Sequence, residues 1–242
     1  MGIIEMGPPK KLVLQIKNLL DATDFIETGT FKGETAKWAS EYFDQVDTIE
    51  FSKSFFDELV DKYGKSSNLN LHFGDSREVL KKISPKIKKP SIFWLDGHWC
   101  GDADSYGGSD QCPLLKEIDV ITNLTMPSYA ILIDDARLFL SPPSKPNKIE
   151  QWPSIDIIIE HLKKGMINPY IVVYHDVIVA VPESIKSDVA GFVQSENTKE
   201  WRNQGIKNKI SLYFILMTIY GHFVGPFMKW YKQLIDRIEN KK

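Results

Sequence analysis

Cysteine is nearly missing from this sequence: two in 242 residues, Cys100 and Cys112, both inside one loop region. Two thiols give no disulfide framework. With no further cysteine and no clustered histidines, there is no tetrahedral zinc set. They read as ordinary cytosolic thiols, and the chain as cytoplasmic. An excess of charge is missing too. Thirty basic residues against 32 acidic leave −2, so the electrostatic footprint of a nucleic-acid binder is not there. Residues 1–11, MGIIEMGPPKK, lack the apolar core of a signal peptide, because Glu5 and two prolines interrupt them. Gly2 is followed by Met6 rather than the Ser or Thr of a myristoylation signal.

What is present is a regular alternation of helix and strand patterns. Leu12, Val13, Ile16, Leu19 and Leu20 predict an amphipathic helix over residues 8–20. Short apolar runs predict strands at 24–27, 47–51, 69–73, 92–96 and 130–134, with helical patterns between them. Two more runs, 171–174 and 177–181, flank His175-Asp176 and read as a hairpin, although that pair is a mediocre turn former. Five strands alternating with helices imply an α/β fold: a Rossmann-like doubly wound sheet, mostly parallel, with one antiparallel strand from the terminal hairpin. Residues 1–190 form this domain and 191–242 a helical appendage.

Residues 24–35, DFIETGTFKGET, end a strand, turn through Gly29 and Gly33, and start a helix. Such a turn cradles nucleotide-like ligands. Its missing third glycine and its carboxylate, Glu27, argue against a nicotinamide cofactor. A carboxylate at the mouth suits a ligand with a cationic end, which points to S-adenosylmethionine. Every later strand also ends in an acid: Glu50, Asp75, Asp96 and the pair Asp134-Asp135. Glu50 stands where an acid accepts hydrogen bonds from ribose hydroxyls. Asp75, with Ser76, can meet an adenine amino group. Asp96, Asp134 and Asp135 would converge on adjacent strands and form a hard oxygen set for Mg²⁺ or Mn²⁺, unless Asp135 caps a turn and faces away. His98, two residues past Asp96, can act as general base. The polar loop 97–111 offers Trp99, Asp102, Tyr106 and Asp110 as acceptor contacts.

The match over 24–181 resembles class I S-adenosylmethionine-dependent methyltransferases. Glu27-Thr28-Gly29-Thr30-Phe31-Lys32-Gly33 resembles the first motif of the macrocin and noviose O-methyltransferase type, which acts on sugars. That resemblance implies a cofactor site around Glu27, Thr28, Gly29, Thr30, Phe31, Gly33 and Thr35. Glu50, Phe51 and Ser52 would lie at the ribose, and Asp75 and Ser76 at the adenine. It also implies a divalent metal on Asp96, Asp134 and Asp135 chelating vicinal hydroxyls, with His98 and Asp96 at the chemistry. This chain departs from the pattern at Thr30, where a glycine is common, and in its longer 99–111 insertion.

Residues 210–228 carry no acid, lysine or arginine, and Gly221 and Gly225 have close-packing spacing. The stretch reads as a helix packed on the domain or on a second copy in a homodimer, with a peripheral membrane contact as the alternative. The expected activity is therefore O-methyl transfer to a sugar or glycan hydroxyl. A small aromatic diol is the second acceptor class, and a noncatalytic membrane-tethered interaction module the third reading.

Overall fold

The computed structural model describes residues 6–99, 110–166, 168–220 and 224–239, and of 204, 207–220, 224–229 and 238–239 the backbone alone. Helix α1 (Lys10–Leu20) leads into strand β1 (Asp24–Thr28). Alternation continues through α2 (Glu34–Ala39), β2 (Gln45–Glu50), α3 (Lys53–Tyr63), β3 (Leu69–Phe73), α4 (Ser76–Ile83) and β4 (Ser91–Leu95). Then come α5 (Leu114–Thr122), β5 (Tyr129–Ile133), α6 (Arg137–Leu140), α7 (Ile155–Leu162), β6 (Tyr170–Tyr174) and β7 (Val177–Val181). Helices α8 (Lys186–Tyr220) and α9 (Val224–Glu239) close the chain.

The strands form one sheet in the order β3-β2-β1-β4-β5-β7-β6. β1 to β5 run parallel, and β7 pairs antiparallel with both β5 and β6. β4, β5 and β7 are buried along their whole length. Their continuous apolar runs reflect a sheet covered on both faces. Helix α1 follows the 3.6 period and buries Leu12, Val13, Ile16 and Leu20. Each such side chain contributes about 1.5–3 kcal/mol. Asp21, in the left-handed region at φ 50°, ends the helix.

The β6–β7 turn explains why His-Asp serves there. His175 and Asp176 both have positive φ, 49° and 64°, as the tight hairpin turn with matching twist requires. Asp176 tolerates that conformation, and its carboxylate Oδ1 accepts the Arg137 N–H at 2.8 Å.

The chain divides into two compact units, Met1–Ala190 and Gly191–Lys242. In the second, residues 210–220 of the apolar stretch lie in α8 and residues 224–228 in α9. Among the described residues, no helix is long and apolar enough to cross a membrane.

Candidate functional site

Chain order reverses between β1 and β4: β2 and β3 lie to one side, β4 and β5 to the other. A ligand crevice is expected at the carboxyl ends of the strands beside that point. A pocket of about 390 Å³ lies there, and every one of the five parallel strands contributes to it. Its lining includes Gly29 and Phe31 after β1, Glu50 and Phe51 at β2, and Asp75 and Ser76 after β3. Asp96 and His98 follow β4, and Asp134 and Asp135 follow β5. A larger groove of about 800 Å³ opens by Asp24, Gln45 and Leu69, at the opposite ends of the strands. It contains none of the clustered strand-end acids.

On the β1–β2 side, the glycines serve the protein's own packing. Gly29 has φ 82°, and a Cβ there would sit 2.1 Å from the Asp96 carbonyl oxygen. Gly33, at φ 77°, would press on Leu59 Cδ2 at 2.6 Å and Tyr63 Cε2 at 2.8 Å. It packs α2 against α3 and does not line the pocket. Glu50 is held by backbone donors. Its Oε2 accepts the Phe31 N–H at 2.8 Å and its Oε1 the Ser52 N–H at 2.7 Å. Burial raises its carboxyl pKa, and the N–H donors of Ser52, Phe31 and Phe51 work against that rise. Ser52 itself caps α3. Phe31 and Phe51 are 44% and 42% exposed beside Glu50.

Three groups of expected site residues meet protein partners here. Glu27 does not open on the pocket. β1 runs one residue further than the sequence pattern suggests, so Glu27 stays inside the ladder opposite Thr48. It is 1% exposed, and its Oε2 accepts the Thr48 hydroxyl at 2.6 Å, which pairs in turn with Thr30. Thr28 and Thr30 are likewise buried, and Thr35 is half-buried. The Thr28 carbonyl accepts the Asp96 N–H at 3.0 Å, and Thr35 Oγ1 lies under Gly7. Asp75 lines the pocket, but Arg77 occupies its carboxylate through three donors at 2.5–2.9 Å. Arg77 reaches on to Asp110 Oδ2 at 2.6 Å, and its side-chain bond is the main reason that the Asp75 carboxyl stays below its usual range. Arg77 is a pocket residue that the sequence reading missed; its place two residues after Asp75 was the available signal.

Burial pushes the Glu27 carboxyl up to about 8; the Thr48 bond opposes the shift and the Glu50 charge adds to it. A folded-state pKa above the unfolded value means that folding favours the protonated acid. The associated stability is full below about pH 4.5 and is lost as pH rises through about 8. Glu27→Gln should therefore flatten the fall in stability between about pH 5 and 8, by on the order of a few kcal/mol. Urea melts at pH 5, 6, 7 and 8 would check this; parallel curves for the two proteins would contradict it.

On the β4–β5 side, His98 is nearly buried. Its ring meets Trp152 edge-on at 5.4 Å and Phe139 at 6.1 Å. Trp152 Nε1–H and the Lys148 N–H both donate to Gln111 Oε1, at 3.0 and 2.8 Å, and fix this aromatic wall. His98 Nε2 lies 3.0 Å from Asp135 Oδ2 and 4.0 Å from Asp96 Oδ1. Burial opposes ionisation of Asp135, but the His98 bond and charge and the Arg137 guanidinium outweigh it and hold the carboxyl below its usual range. The Asp134 carboxyl is raised, first by burial and then by the Asp135 charge.

The three aspartates do meet at one mouth, but as placed they do not fit a divalent cation. Asp135 Oδ2 faces His98 and Oδ1 faces Arg137 Nη1 at 2.6 Å, so a divalent ion on Asp135 would be set against the guanidinium charge. Among the described residues, no group of three or more His, Cys, Asp or Glu could hold a metal ion. The expected metal set of Asp96, Asp134 and Asp135 is therefore replaced by an ion-pair cluster.

Among the acceptor contacts, Asp110 lines the pocket, and the Trp99 N–H donates to the Gln111 carbonyl at 2.8 Å. Asp102 and Tyr106 lie outside the described residues. A further missed acid is Glu117 on α5, whose carboxyl burial raises to about 7 against bonds from Ser76 and Thr28. Its only sequence signal was an acid on the same helical face as Leu114, Ile118 and Ile121.

No family model matches the chain, and no curated protein matches it in sequence. Solved structures do. A candidate caffeoyl-CoA O-methyltransferase from Staphylococcus aureus is similar at 12% identity and TM-score 0.50, over 74% of this chain and 86% of that one. A candidate O-methyltransferase from Klebsiella pneumoniae is similar at 14% and 0.49, over 72% and 79%. At such identities the likeness is one of fold, and the chain has the Rossmann-like methyltransferase fold.

Proposed function

We propose that this protein is an S-adenosylmethionine-dependent O-methyltransferase acting on a sugar or glycan hydroxyl. One observation carries the reading: a single pocket at the switch point holds both a backbone-fixed acid, Glu50, and a carboxylate-backed histidine, His98. Glu50 is oriented to accept from ribose hydroxyls, and the exposed faces of Phe31 and Phe51 offer apolar surface to a planar base. The donor would supply an electrophilic methyl group. The acceptor oxygen forms a bond to that carbon as the carbon–sulfur bond breaks, and the bonding pair stays on sulfur. The acceptor proton passes to His98. Because Asp135 is held ionised, the proton between the pair belongs on Nε2, and Nδ1 is the nitrogen left to take it. Asp135 then stabilises the imidazolium. Asp96, Asp110 and Asp134 give the mouth several acceptors for sugar hydroxyls, which supports a polyhydroxyl substrate.

An aromatic diol is the second reading. The Phe139–Trp152 wall around His98 favours it, and the Staphylococcus aureus neighbour is named for a caffeoyl substrate.

Titration calorimetry with S-adenosylhomocysteine should give saturable 1:1 binding, weakened about 10- to 100-fold by Glu50→Gln. No heat at millimolar ligand would remove the methyltransferase reading. Methyl transfer screened over glycans, nucleotide sugars and catechols, with and without Mg²⁺ or Mn²⁺, separates the two acceptor classes.

A further inference from the structure

The cluster behind His98 has a cation built into the chain. Arg137 is the first residue of α6, three positions after Asp134. Its Nη1 lies between Asp135 Oδ1, at 2.6 Å, and Asp176 Oδ2. The same residue's backbone N–H donates to Asp176 Oδ1, and the neighbouring Ala136 N–H to the Asp176 carbonyl at 2.7 Å. Asp176 is 6% exposed and locked in the β6–β7 turn. The guanidinium is thus anchored from the β6–β7 turn and is not free to swing away. It also lines the pocket. Arginine stays charged under all working conditions, and its planar fork matches carboxylates.

We propose that Arg137 is a positioning residue that takes the part a divalent cation would take at this mouth. It supplies the positive charge on which Asp135 closes, so that Asp135 stays aimed at His98 and methyl transfer needs no added metal. The chain Asp176–Arg137–Asp135–His98 links the edge hairpin to the reacting centre. Three carboxylates in one spot need a cation. Here the cation is covalent, always present, and placed by a turn whose left-handed backbone suits Asp176. The idea rests on the methyltransferase reading for its catalytic consequence, but not for its binding consequence.

The binding consequence is tested first, because it needs no substrate. Electron paramagnetic resonance of Mn²⁺ with the whole wild-type chain should show no saturable site up to about 1 mM. Removing Arg137 alone would leave Asp176 buried without its partner, which destabilises. The double variant Arg137→Met with Asp176→Asn removes both charges together. It frees Asp135 and should acquire a Mn²⁺ site with a Kd of about 10⁻⁴ M. Arg137→Lys keeps the charge and should not acquire one. Tight 1:1 Mn²⁺ binding by the wild type would overturn the proposal, as would a double variant that folds by circular dichroism but binds no Mn²⁺. Where a methyl acceptor has been found, exhaustive chelation should change wild-type turnover by less than about twofold. The double variant should lose about 10²-fold in kcat with KM for the donor unchanged, and Mn²⁺ should restore part of the loss. Chelator-sensitive wild-type turnover would also overturn it. Failure of S-adenosylhomocysteine to bind would instead strike the methyltransferase reading and leave the Mn²⁺ result standing by itself.

Discussion

Gly29→Ala is expected to melt about 6–12 °C below the wild type and to bind S-adenosylhomocysteine about tenfold more weakly. The residue sits at φ 82°, where an L side chain costs about 1–2 kcal/mol. Its new Cβ would also lie 2.1 Å from the Asp96 carbonyl oxygen and 2.6 Å from the carbonyl carbon. Both are backbone atoms and cannot rotate aside. Either the β1 turn or the end of β4 must shift, and Asp96 N–H holds that end to the Thr28 carbonyl. Together the strain and the clash come to about 3 kcal/mol. Gly191 is the internal control. Among the described residues nothing lies within 4 Å of a Cβ there, and the residue is inside α8. Gly191→Ala should gain about 0.5–1 kcal/mol from helix propensity. Differential scanning calorimetry of both variants tests the pair. If Gly29→Ala melted within about 2 °C of the wild type, the approach of the first turn to β4 would not be what the glycine is for.

The sequence was most legible where burial on both sheet faces left a continuous apolar run. β7 begins and ends where its pattern does, and β4 and β5 differ by one residue at each end; β3 also matches, although it is not buried on both faces. That single residue matters at β1. Thr28 lies one residue past the strand that the pattern marks, yet it pairs with Ile49 in the ladder, and Glu27 becomes a buried core acid. The strand-end acids were legible as a group because the doubly wound topology gathers strand ends. Their individual partners were not legible. Asp75 answers to Arg77, which also reaches Asp110, and Asp135 answers to His98 and Arg137. Asp110 to Arg77 spans 33 positions and Asp176 to Arg137 spans 39. Pairings at such separation follow from how loops fold back, which no local spacing records. A spacing argument also counts carboxylates without seeing the arginine that neutralises them, and so it predicts a metal where the chain supplies its own cation.

His98→Ala should lose about 10²- to 10⁴-fold in kcat on whichever hydroxyl acceptor proves active, while S-adenosylhomocysteine affinity stays within about twofold. The split follows from the geometry. In the proposed cofactor half, on the β1–β2 side, Glu50 is fixed by the Phe31 and Ser52 N–H groups, which do not involve His98. His98 belongs to the β4–β5 half, where its Nε2 faces Asp135 and Asp96. Truncation leaves Phe139 and Trp152 in contact at 5.7 Å, with Trp152 still pinned by Gln111, so the wall survives. Asp135 keeps Arg137 as a partner, so no buried charge is left alone. Asp135→Asn should cost less, about 10- to 10²-fold, because the imidazole remains but loses the charge that stabilises its protonated form. The double variant should be no worse than His98→Ala, since Asp135 acts only through His98. Single-turnover kinetics on the three proteins, at saturating donor, distinguish this from independent contributions: multiplied losses in the double variant would mean that Asp135 serves the reaction by some route other than the histidine.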